Sequence, residues 1–253
     1  MHTADNPLDP NAIFADPHIM VPADDAAQTP PAPHTMFSAD LFGDPAEPID
    51  GNQRLGDGAI LLRGFALADE SALLEALDGV LAHAPWRHMI TPGGKRMSVA
   101  MTNAGRLGWI SDQRSYRYVS TDPLSGQAWP AMPPVFLRLA ACAAAQAGFT
   151  DFEPDACLIN RYTARTRLSL HQDRDEQDFS QPIVSVSLGI PAVFLFGGEQ
   201  RTDRPRRVPL VHGDVVVWGG PGRLRYHGVL PVKPDHHAVL GDCRINLTLR
   251  RAG

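Results

Sequence analysis

Short β-rich runs separated by glycine and proline fill the C-terminal half of the chain. Apolar and β-branched residues are concentrated there in runs of the length that is typical of strands. The predicted strands lie at 157–162, 183–188, 192–196, 208–211, 215–218, 224–229 and 243–250. Many short strands with turn residues between them indicate a β-sandwich or a barrel.

Helical periodicity comes earlier in the chain, at two places. Asp69 is expected to cap the first helix, where aliphatic residues recur at helical spacing. These residues are Leu73, Leu74, Leu77, Val80 and Leu81. A strand is predicted before this helix, at 59–62, and a second helix over 134–146 that ends near Gly148. Both helices are expected to pack on the outside of the sheet, which predicts a mainly β fold with flanking helices (α+β).

The last predicted strand has two chemically different faces, because side chains alternate between the faces of a strand. The odd-numbered residues from 243 to 249 are apolar and share one face. The even-numbered residues share the other face, and they are Arg244, Asn246, Thr248 and Arg250. A polar face facing water would explain an isolated pattern of this kind. The histidines and the aspartate upstream favour a site for an anion instead.

His171 and Asp173 lie two residues apart, so on an extended segment both side chains point the same way. His227 follows after 53 intervening residues, and Arg244 follows after 16 more. Two imidazoles and one carboxylate are the ligand set of the non-haem Fe(II) oxygenases, which leaves other coordination positions open. Arginine suits the last position because its planar fork pairs with a carboxylate.

A second His-x-Asp pattern occurs at His212 and Asp214. Only 39 residues follow Asp214, too few for several more core strands, a distal histidine and an anion-binding strand. The pattern also adjoins the apolar run 215–218. We therefore interpret it as a turn that leads into a buried strand.

These residues resemble a known family, the AlkB-type 2-oxoglutarate and Fe(II)-dependent dioxygenases, which repair alkylated nucleic acid. The resemblance runs from about residue 41 to the C-terminus. Its most specific segments are 91–94 (TPGG), 97–103 (MSVAMTN), 154–162 (PDACLINRY), 171–173 (HQD) and the alternating arginine, asparagine and threonine residues of 244–250. The resemblance implies a double-stranded β-helix (jelly-roll) core over 155–253 and an N-terminal nucleotide-recognition lid over 85–122.

The resemblance also implies the cofactors and the roles of the site residues. Fe(II) would be held by His171, Asp173 and His227, which are thus the metal and catalytic residues. The cosubstrate 2-oxoglutarate would be held by Asn160, Tyr162, Arg244, Asn246, Thr248 and Arg250, with Arg244 on its distal carboxylate. With O2, the reaction would release formaldehyde, succinate and CO2. Without the family, Asn160 and Tyr162 could equally be ordinary polar groups of a core.

Basic and aromatic residues alternate between Trp86 and Tyr118, a mixture suited to a single strand or an everted nucleotide. A solvated loop over a few core aromatics would look similar. By resemblance, Trp109 and His171 would sandwich the damaged base, with Tyr116 and Tyr118 near its backbone and Arg201 in contact with the substrate. Asp175 would lie near the base and favour cationic 1-methyladenine or 3-methylcytosine, or it could simply balance Arg174.

The predicted substrate is alkylated single-stranded DNA, and also duplex DNA and RNA. An alternative is a 2-oxoglutarate-dependent hydroxylase of a protein, lipid or small molecule, since its iron and cosubstrate residues would be the same. A non-enzymatic nucleic-acid-binding or metal-sensing β-barrel is a third class, which the intact ligand set disfavours.

Composition agrees with an intracellular enzyme. With 253 residues, 43% of them hydrophobic, the chain can bury one good core. No apolar run approaches the roughly 20 residues that span a bilayer, and the N-terminus lacks a signal segment, so we expect a cytoplasmic monomer without membrane association. The three cysteines, Cys142, Cys157 and Cys243, lack metal-site spacing and are expected to be small buried residues.

Residues 1–40 are rich in proline, alanine and aspartate and are predicted to form a disordered acidic tail. We expect this tail to be dispensable, and a true start at Met36 is an alternative. Residues 1–53 hold nine acidic side chains and no lysine or arginine, so the remainder holds 23 basic and 19 acidic residues. The single catalytic domain predicted over 41–253 is therefore mildly basic, although the whole chain has a formal charge of −5.

Overall fold

The computed structural model describes residues 51–253 of the chain. The predicted tail and its boundary at residue 40 lie outside the described residues. The helices are α1 (Glu70–His83) and α2 (Pro134–Gln146). The strands are β1 (Gln53–Gly56), β2 (Ala59–Leu62), β3 (Ala100–Gly105), β4 (Gly108–Ser111), β5 (Tyr116–Val119), β6 (Ala156–Tyr162), β7 (Leu168–His171), β8 (Ile183–Gly189), β9 (Ala192–Phe196), β10 (Arg206–Leu210), β11 (Val215–Trp218), β12 (His227–Val229) and β13 (Arg244–Arg250).

Two antiparallel sheets pack on each other through their apolar faces. The larger sheet has seven strands in the order β1-β2-β11-β8-β13-β6-β3, and the smaller has four in the order β10-β9-β12-β7. One buried cluster draws Leu158 and Trp218 from the larger sheet and Phe194, Phe196 and Val229 from the smaller. The strands β4 and β5 form a separate hairpin. The predicted mainly β, two-sheet core is confirmed.

The two helices cover the other face of the larger sheet. A second buried cluster joins Leu73 of α1 and Phe136 of α2 to Val186 of β8 and Leu247 of β13. Burying such a face against helices is the usual way in which a sheet with two apolar sides is completed. The predicted packing of both helices outside the sheet is confirmed.

Strand β13 lies inside the larger sheet between β8 and β6, so all seven of its residues are buried. Its alternation is the one predicted: Ile245, Leu247 and Leu249 belong to the helix-side cluster. The four polar residues therefore point toward the space between the sheets. A strand with arginines on a buried face needs partners for them, and this face consequently forms the floor of the candidate site.

Several predicted elements have different bounds in the structure. The strand predicted at 224–229 begins only at His227, because a 3-10 turn at Gly220–Gly222 continues into Arg223, whose N–H bonds to the carbonyl of Gly220. Asp69 occupies the N-cap position of α1 as predicted, but its carboxylate makes no capping hydrogen bond and accepts one from Arg138 at 2.8 Å instead. Cys142 is exposed on α2, contrary to expectation, whereas Cys157 is buried. Among the described helices, none is long and apolar enough to cross a membrane.

Gly189 permits the close approach of β8 to the start of β13. Its φ is +89°, and a Cβ there would overlap the carbonyl oxygen of Cys243. Gly126 has a similar φ of +70° but open space around its Cβ position. We expect Gly189→Ala to lower the free energy of unfolding by about 3 kcal/mol, and Gly126→Ala by about 1 kcal/mol, because only the first adds a backbone clash to the conformational strain. Urea denaturation of both variants measures the difference; equal losses would mean that the clash relaxes.

Candidate active site

The ends of β7 and β12 bring the two predicted histidine ligands together. His171 closes β7 and pairs with His227, the first residue of β12. Their ring centroids are 4.4 Å apart. Asp173, two residues beyond β7, places Oδ1 3.5 Å from Nε2 of His171 and Oδ2 3.7 Å from Nε2 of His227. These three side chains, of which only His227 is distant in sequence, thus offer ligand atoms within 4.8 Å of one another.

Backbone carbonyls fix the tautomers of both rings. Nδ1 of His171 lies 2.9 Å from the carbonyl oxygen of Ser169, and Nδ1 of His227 lies 3.0 Å from that of Arg225. A carbonyl can only accept, so each Nδ1 carries the proton and each Nε2 has a free lone pair. Metal-binding histidines are oriented in this way in known sites. The pair is therefore prepared to bind a metal through Nε2.

A second group of possible ligands, formed by Glu70, His212 and His237, has the opposite arrangement. Nδ1 of His212 accepts the N–H of Gly189 at 2.9 Å, and Nδ1 of His237 accepts that of Leu240 at 3.3 Å. A neutral ring that accepts at Nδ1 has its proton on Nε2. Nε2 of His212 faces Glu70 at 3.3 Å. This group therefore lacks the free Nε2 lone pairs of the first group, and the prediction of a structural turn at 212–214 is confirmed by the φ of +84° at Gly213.

The carboxylate of Asp173 is held in its ionised form. Burial opposes ionisation, but the charge of Arg250 outweighs it and keeps the pKa of Asp173 well below its ordinary value. Arg250 donates to Oδ2 of Asp173 from Nε at 2.9 Å and from Nη2 at 2.6 Å. Burial also lowers the pKa of His227. Near neutral pH the centre thus contains a carboxylate and a neutral imidazole, the forms that bind metal.

Arg244 is buried with unused hydrogen-bonding capacity. Nη2 donates to Oγ of Ser187 at 2.9 Å, whereas Nε and Nη1 have no partner among the described residues. Burial lowers the pKa of Arg244, which reflects the cost of removing its charge from water. On the neighbouring strand, Oδ1 of Asn160 also lacks a partner within residues 51–253. A buried guanidinium with free donors is a site for a carboxylate, so Arg244 fits a carboxylate group of a ligand, whereas the free Oδ1 of Asn160 can accept a hydrogen bond only from a donor.

The other predicted cosubstrate residues have partners in the protein. Nδ2 of Asn246 donates to Oγ of Ser185 at 2.8 Å, and its Oδ1 accepts from Thr248 at 2.9 Å. The ring of Tyr162 is fully buried, with its centroid 5.0 Å from Cζ of Arg244. Asn246 and Thr248 therefore stiffen this face of β13, and their role toward a cosubstrate stays a prediction.

The hairpin β4–β5 contacts the segment that follows His171. Nε1 of Trp109 donates to Oδ2 of Asp175 at 2.8 Å, and its ring stacks on Tyr116 with centroids 5.6 Å apart. The hydroxyl of Tyr118 donates to Glu176 at 2.7 Å. Burial raises the pKa of Tyr118 well above its ordinary value, which keeps this hydroxyl protonated as a donor. Trp109 and Tyr118 are thus bonded to the loop that carries Asp173, and Tyr116 is joined to it through its stacking on Trp109.

Within the described part of the chain, Asp175 accepts a hydrogen bond from Trp109 and does not form the predicted alternative pair with Arg174. The basic run from Trp86 to Tyr118 is also less available than its sequence suggests. Arg117 is paired with Asp112 at 2.7 Å, and Arg87 forms a two-bond pair with Asp122. Arg201 is exposed between β9 and β10, and no hydrogen bond or ion pair within 51–253 joins it to the centre.

Two charged residues of the site were missed in the sequence. Glu176 and Arg223 are both nearly fully buried and lie 3.2 Å apart, and Nε of Arg250 is 3.4 Å from Glu176. The available signal was their position, since Glu176 follows Asp173 by three residues and Arg223 precedes His227 by four. Their closeness in sequence to Asp173 and His227 indicates that these two charged residues belong to the site.

Comparison with known proteins gives consistent matches. Residues 58–250 match the 2OG-Fe(II) oxygenase superfamily. The chain is 53% identical over 214 residues to alpha-ketoglutarate-dependent dioxygenase AlkB of Escherichia coli K12, covering 85% of this chain and 98% of that protein. It is 46% identical over 187 residues to an AlkB homolog of Caulobacter vibrioides NA1000, covering 74% and 83%. The solved structure of OsALKBH1 aligns with a TM-score of 0.68 at 30% identity, covering 78% of this chain and 100% of the other.

Proposed function

Because this chain belongs to the 2OG-Fe(II) oxygenase superfamily and, within it, to the AlkB dioxygenases, we propose that it repairs alkylated DNA by oxidative demethylation. It is a dioxygenase that uses Fe(II), 2-oxoglutarate and O2, and its core is a jelly roll. The observation that carries the proposal is the joint presence of two histidines with free Nε2 atoms, one ionised aspartate, and a buried arginine with free donors.

We assign Fe(II) to His171, Asp173 and His227. The carbonyl-bonded Nδ1 atoms leave Nε2 available on both rings, and Arg250 keeps Asp173 ionised. Three ligands leave positions free for a chelating cosubstrate and O2. Bound there, the iron supplies the oxidation of an N-methyl group to formaldehyde while 2-oxoglutarate becomes succinate and CO2. The protein's own task is to position the reactants and to exclude water.

We assign the distal carboxylate of 2-oxoglutarate to Arg244, whose free Nε and Nη1 offer a fork for it. Asn160 and Tyr162 lie on the adjacent strand β6, where Asn160 pairs with Asn246 and Tyr162 with Arg244. Arg250, in contrast, is occupied by Asp173 and acts at the metal end of the pocket. Between Arg244 and Arg250 on the same face of β13 lie Asn246 and Thr248, which are joined to each other by a hydrogen bond.

For the substrate, we propose that Trp109 and His171 enclose the damaged base. The hydrogen bond to Asp175 fixes the indole plane, and Tyr116 extends the aromatic surface on which bases stack. The negative charge of Asp175 favours a cationic base, which 1-methyladenine and 3-methylcytosine are. Tyr118 and Arg201 complete the predicted substrate contacts.

A base must leave its stack to enter such a pocket, so single-stranded DNA is the easiest substrate, with duplex DNA and RNA also accepted. We further propose a monomer that works in the cytoplasm. The three cysteines are free thiols, which suits the reducing compartment that Fe(II) requires.

The test is formaldehyde release from a single-stranded oligonucleotide that carries one 1-methyladenine, in the presence of Fe(II), 2-oxoglutarate and ascorbate. We expect one formaldehyde and one restored adenine per lesion, and no release from the unmethylated oligonucleotide. His171→Ala serves as the inactive control, because it removes an iron ligand. Succinate formation without formaldehyde would contradict the nucleic-acid assignment and would direct the search to protein, lipid or small-molecule substrates.

A further inference from the structure

The segment between β7 and β8, residues 172–182, contains neither strand nor helix. It nevertheless carries Asp173, Asp175 and Glu176, which contact the metal centre and the hairpin. Its backbone hydrogen bonds outside regular elements include one from the N–H of Gln177 to the carbonyl of Ala252 at 3.2 Å. An irregular segment with so little backbone pairing needs another source of order.

Arg223 supplies three hydrogen bonds to this segment from three different nitrogens. Nη1 donates to the carbonyl oxygen of Asp173 at 3.0 Å, and Nε donates to that of Gln181 at 3.0 Å. Nη2 donates to Oε2 of Glu176 at 3.2 Å. One guanidinium thus holds the segment near its beginning, in its middle and near its end.

Arg223 is itself well fixed. It follows the 3-10 turn Gly220–Gly222 and is 2% exposed. The ring centroid of Phe179 lies 5.4 Å from its Cζ and contributes to its shielding from water. A buried guanidinium with all three nitrogens bonded is rigid, so it can transmit that rigidity to its acceptors.

The bound segment in turn holds two parts of the site in register. Asp175 bonds Trp109, and Glu176 bonds Tyr118 on the hairpin β4–β5. Asp173 lies at the metal centre. A displacement of the segment would therefore move a metal ligand and the aromatic surface together.

We infer that Arg223 is a positioning residue that orders residues 173–181, so that Asp173 and the Trp109–Asp175 pair are held in place at once. The inference rests on the proposed function for the roles of Asp173 and Trp109. Arg223 reaches neither a reacting atom nor the substrate and acts through the segment it binds.

The test compares Arg223→Lys and Arg223→Met with Arg63→Lys in the full-length protein. Lysine keeps the charge beside Glu176 but cannot place donors on three separated acceptors. Arg63 is a matched control, because it also bonds a buried carboxylate, of Asp214 at 2.6 Å, and a carbonyl, of Pro209 at 2.9 Å. Three quantities are measured: amide hydrogen exchange, anaerobic Co(II) binding, and succinate formed per formaldehyde.

For Arg223→Lys, we expect exchange of the Gln177 amide, which is bonded to the carbonyl of Ala252, to accelerate about 10-fold or more relative to bonded amides of other loops. Co(II) binding should weaken about 10-fold, the lower end of the range for groups that orient metal ligands. Succinate per formaldehyde should rise at least about 2-fold, because a displaced aromatic surface holds the base less well. Arg63→Lys should leave all three quantities unchanged even if it lowers the melting temperature.

Unchanged exchange and Co(II) affinity in Arg223→Lys would overturn the inference, as would equal changes in Arg63→Lys. If Arg223→Met does not fold, Arg223→Lys alone decides. The exchange and Co(II) measurements need no substrate, so they remain decisive if the wild type releases no formaldehyde from the methylated oligonucleotide. In that case the proposed function fails and the role of Arg223 is judged separately.

Discussion

Asp173→Asn is expected to abolish formaldehyde release and to weaken Co(II) binding by more than about 100-fold. Replacing groups that merely orient a metal ligand costs about 10- to 100-fold in affinity, so losing a charged ligand should cost more. The substitution keeps the shape of the side chain but removes the negative charge of the proposed ligand set. It also leaves Arg250 buried with Glu176 as its remaining carboxylate partner. Anaerobic Co(II) titration followed by absorbance, together with the formaldehyde assay, measures both effects.

The matched control is Asp175→Asn, which removes a carboxylate two residues further along the same segment. Asp175 bonds Trp109 and is not a proposed ligand. We therefore expect this variant to bind Co(II) with wild-type affinity but to release formaldehyde from the methylated oligonucleotide more slowly. A wild-type Co(II) affinity in Asp173→Asn would disprove the assigned ligand set.

Arg244→Lys should raise the KM for 2-oxoglutarate about 10- to 100-fold with a much smaller change in kcat at saturating 2-oxoglutarate. Hydrogen bonds to charged groups contribute about 1.5–3 kcal/mol, and each 1.4 kcal/mol is a factor of about ten in binding. Lysine retains the charge but cannot offer two parallel donors to one carboxylate. Its shorter reach also leaves Oγ of Ser187 without its present donor. Steady-state kinetics at varied 2-oxoglutarate separates KM from kcat.

Arg251→Lys is a suitable control, since Arg251 directly follows β13 and is partly exposed. Within residues 51–253 it donates one hydrogen bond, to the carbonyl of Glu153 at 3.3 Å, and its Nε lies 3.9 Å from Asp155. Its KM for 2-oxoglutarate should equal that of the wild type. If Arg244→Lys also shows a wild-type KM, then the free donors of Arg244 serve another ligand.

Alternation along β13 was enough to predict which of its residues face the interior. The reason is geometric, because a strand has only two faces. When a buried strand carries arginines on one face, the binding partners of those arginines must lie on that side of the sheet. The same alternation placed Asn160 and Tyr162 on one face of β6. The ligand spacing likewise identified His171, Asp173 and His227, which the structure brings together.

Other parts of the fold could not be predicted in this way. The strands β1, β3, β4, β5 and β7 were missed because they are short or rich in polar residues and glycine. In addition, β3 and β7 are ordered by strands far away in sequence, β6 and β12. Strand β3, for example, is buried throughout and so has no alternation to read. The interactions of Arg223 with Asp173 and Gln181 cross 50 and 42 residues. Such contacts depend on how the two segments are placed by the completed sheets.

With the proposed binding of 2-oxoglutarate to the free donors of Arg244, the stability of the folded protein would depend on the concentration of this metabolite. Part of the cost of burying this guanidinium is not recovered by bonds within the described chain. A dicarboxylate that binds there binds the folded chain and not the unfolded one, so its concentration shifts the folding equilibrium. At a hundred times its Kd, such a ligand would stabilise the fold by about 2.7 kcal/mol. A cell rich in 2-oxoglutarate would therefore maintain more of this enzyme in the folded state, before any lesion is encountered.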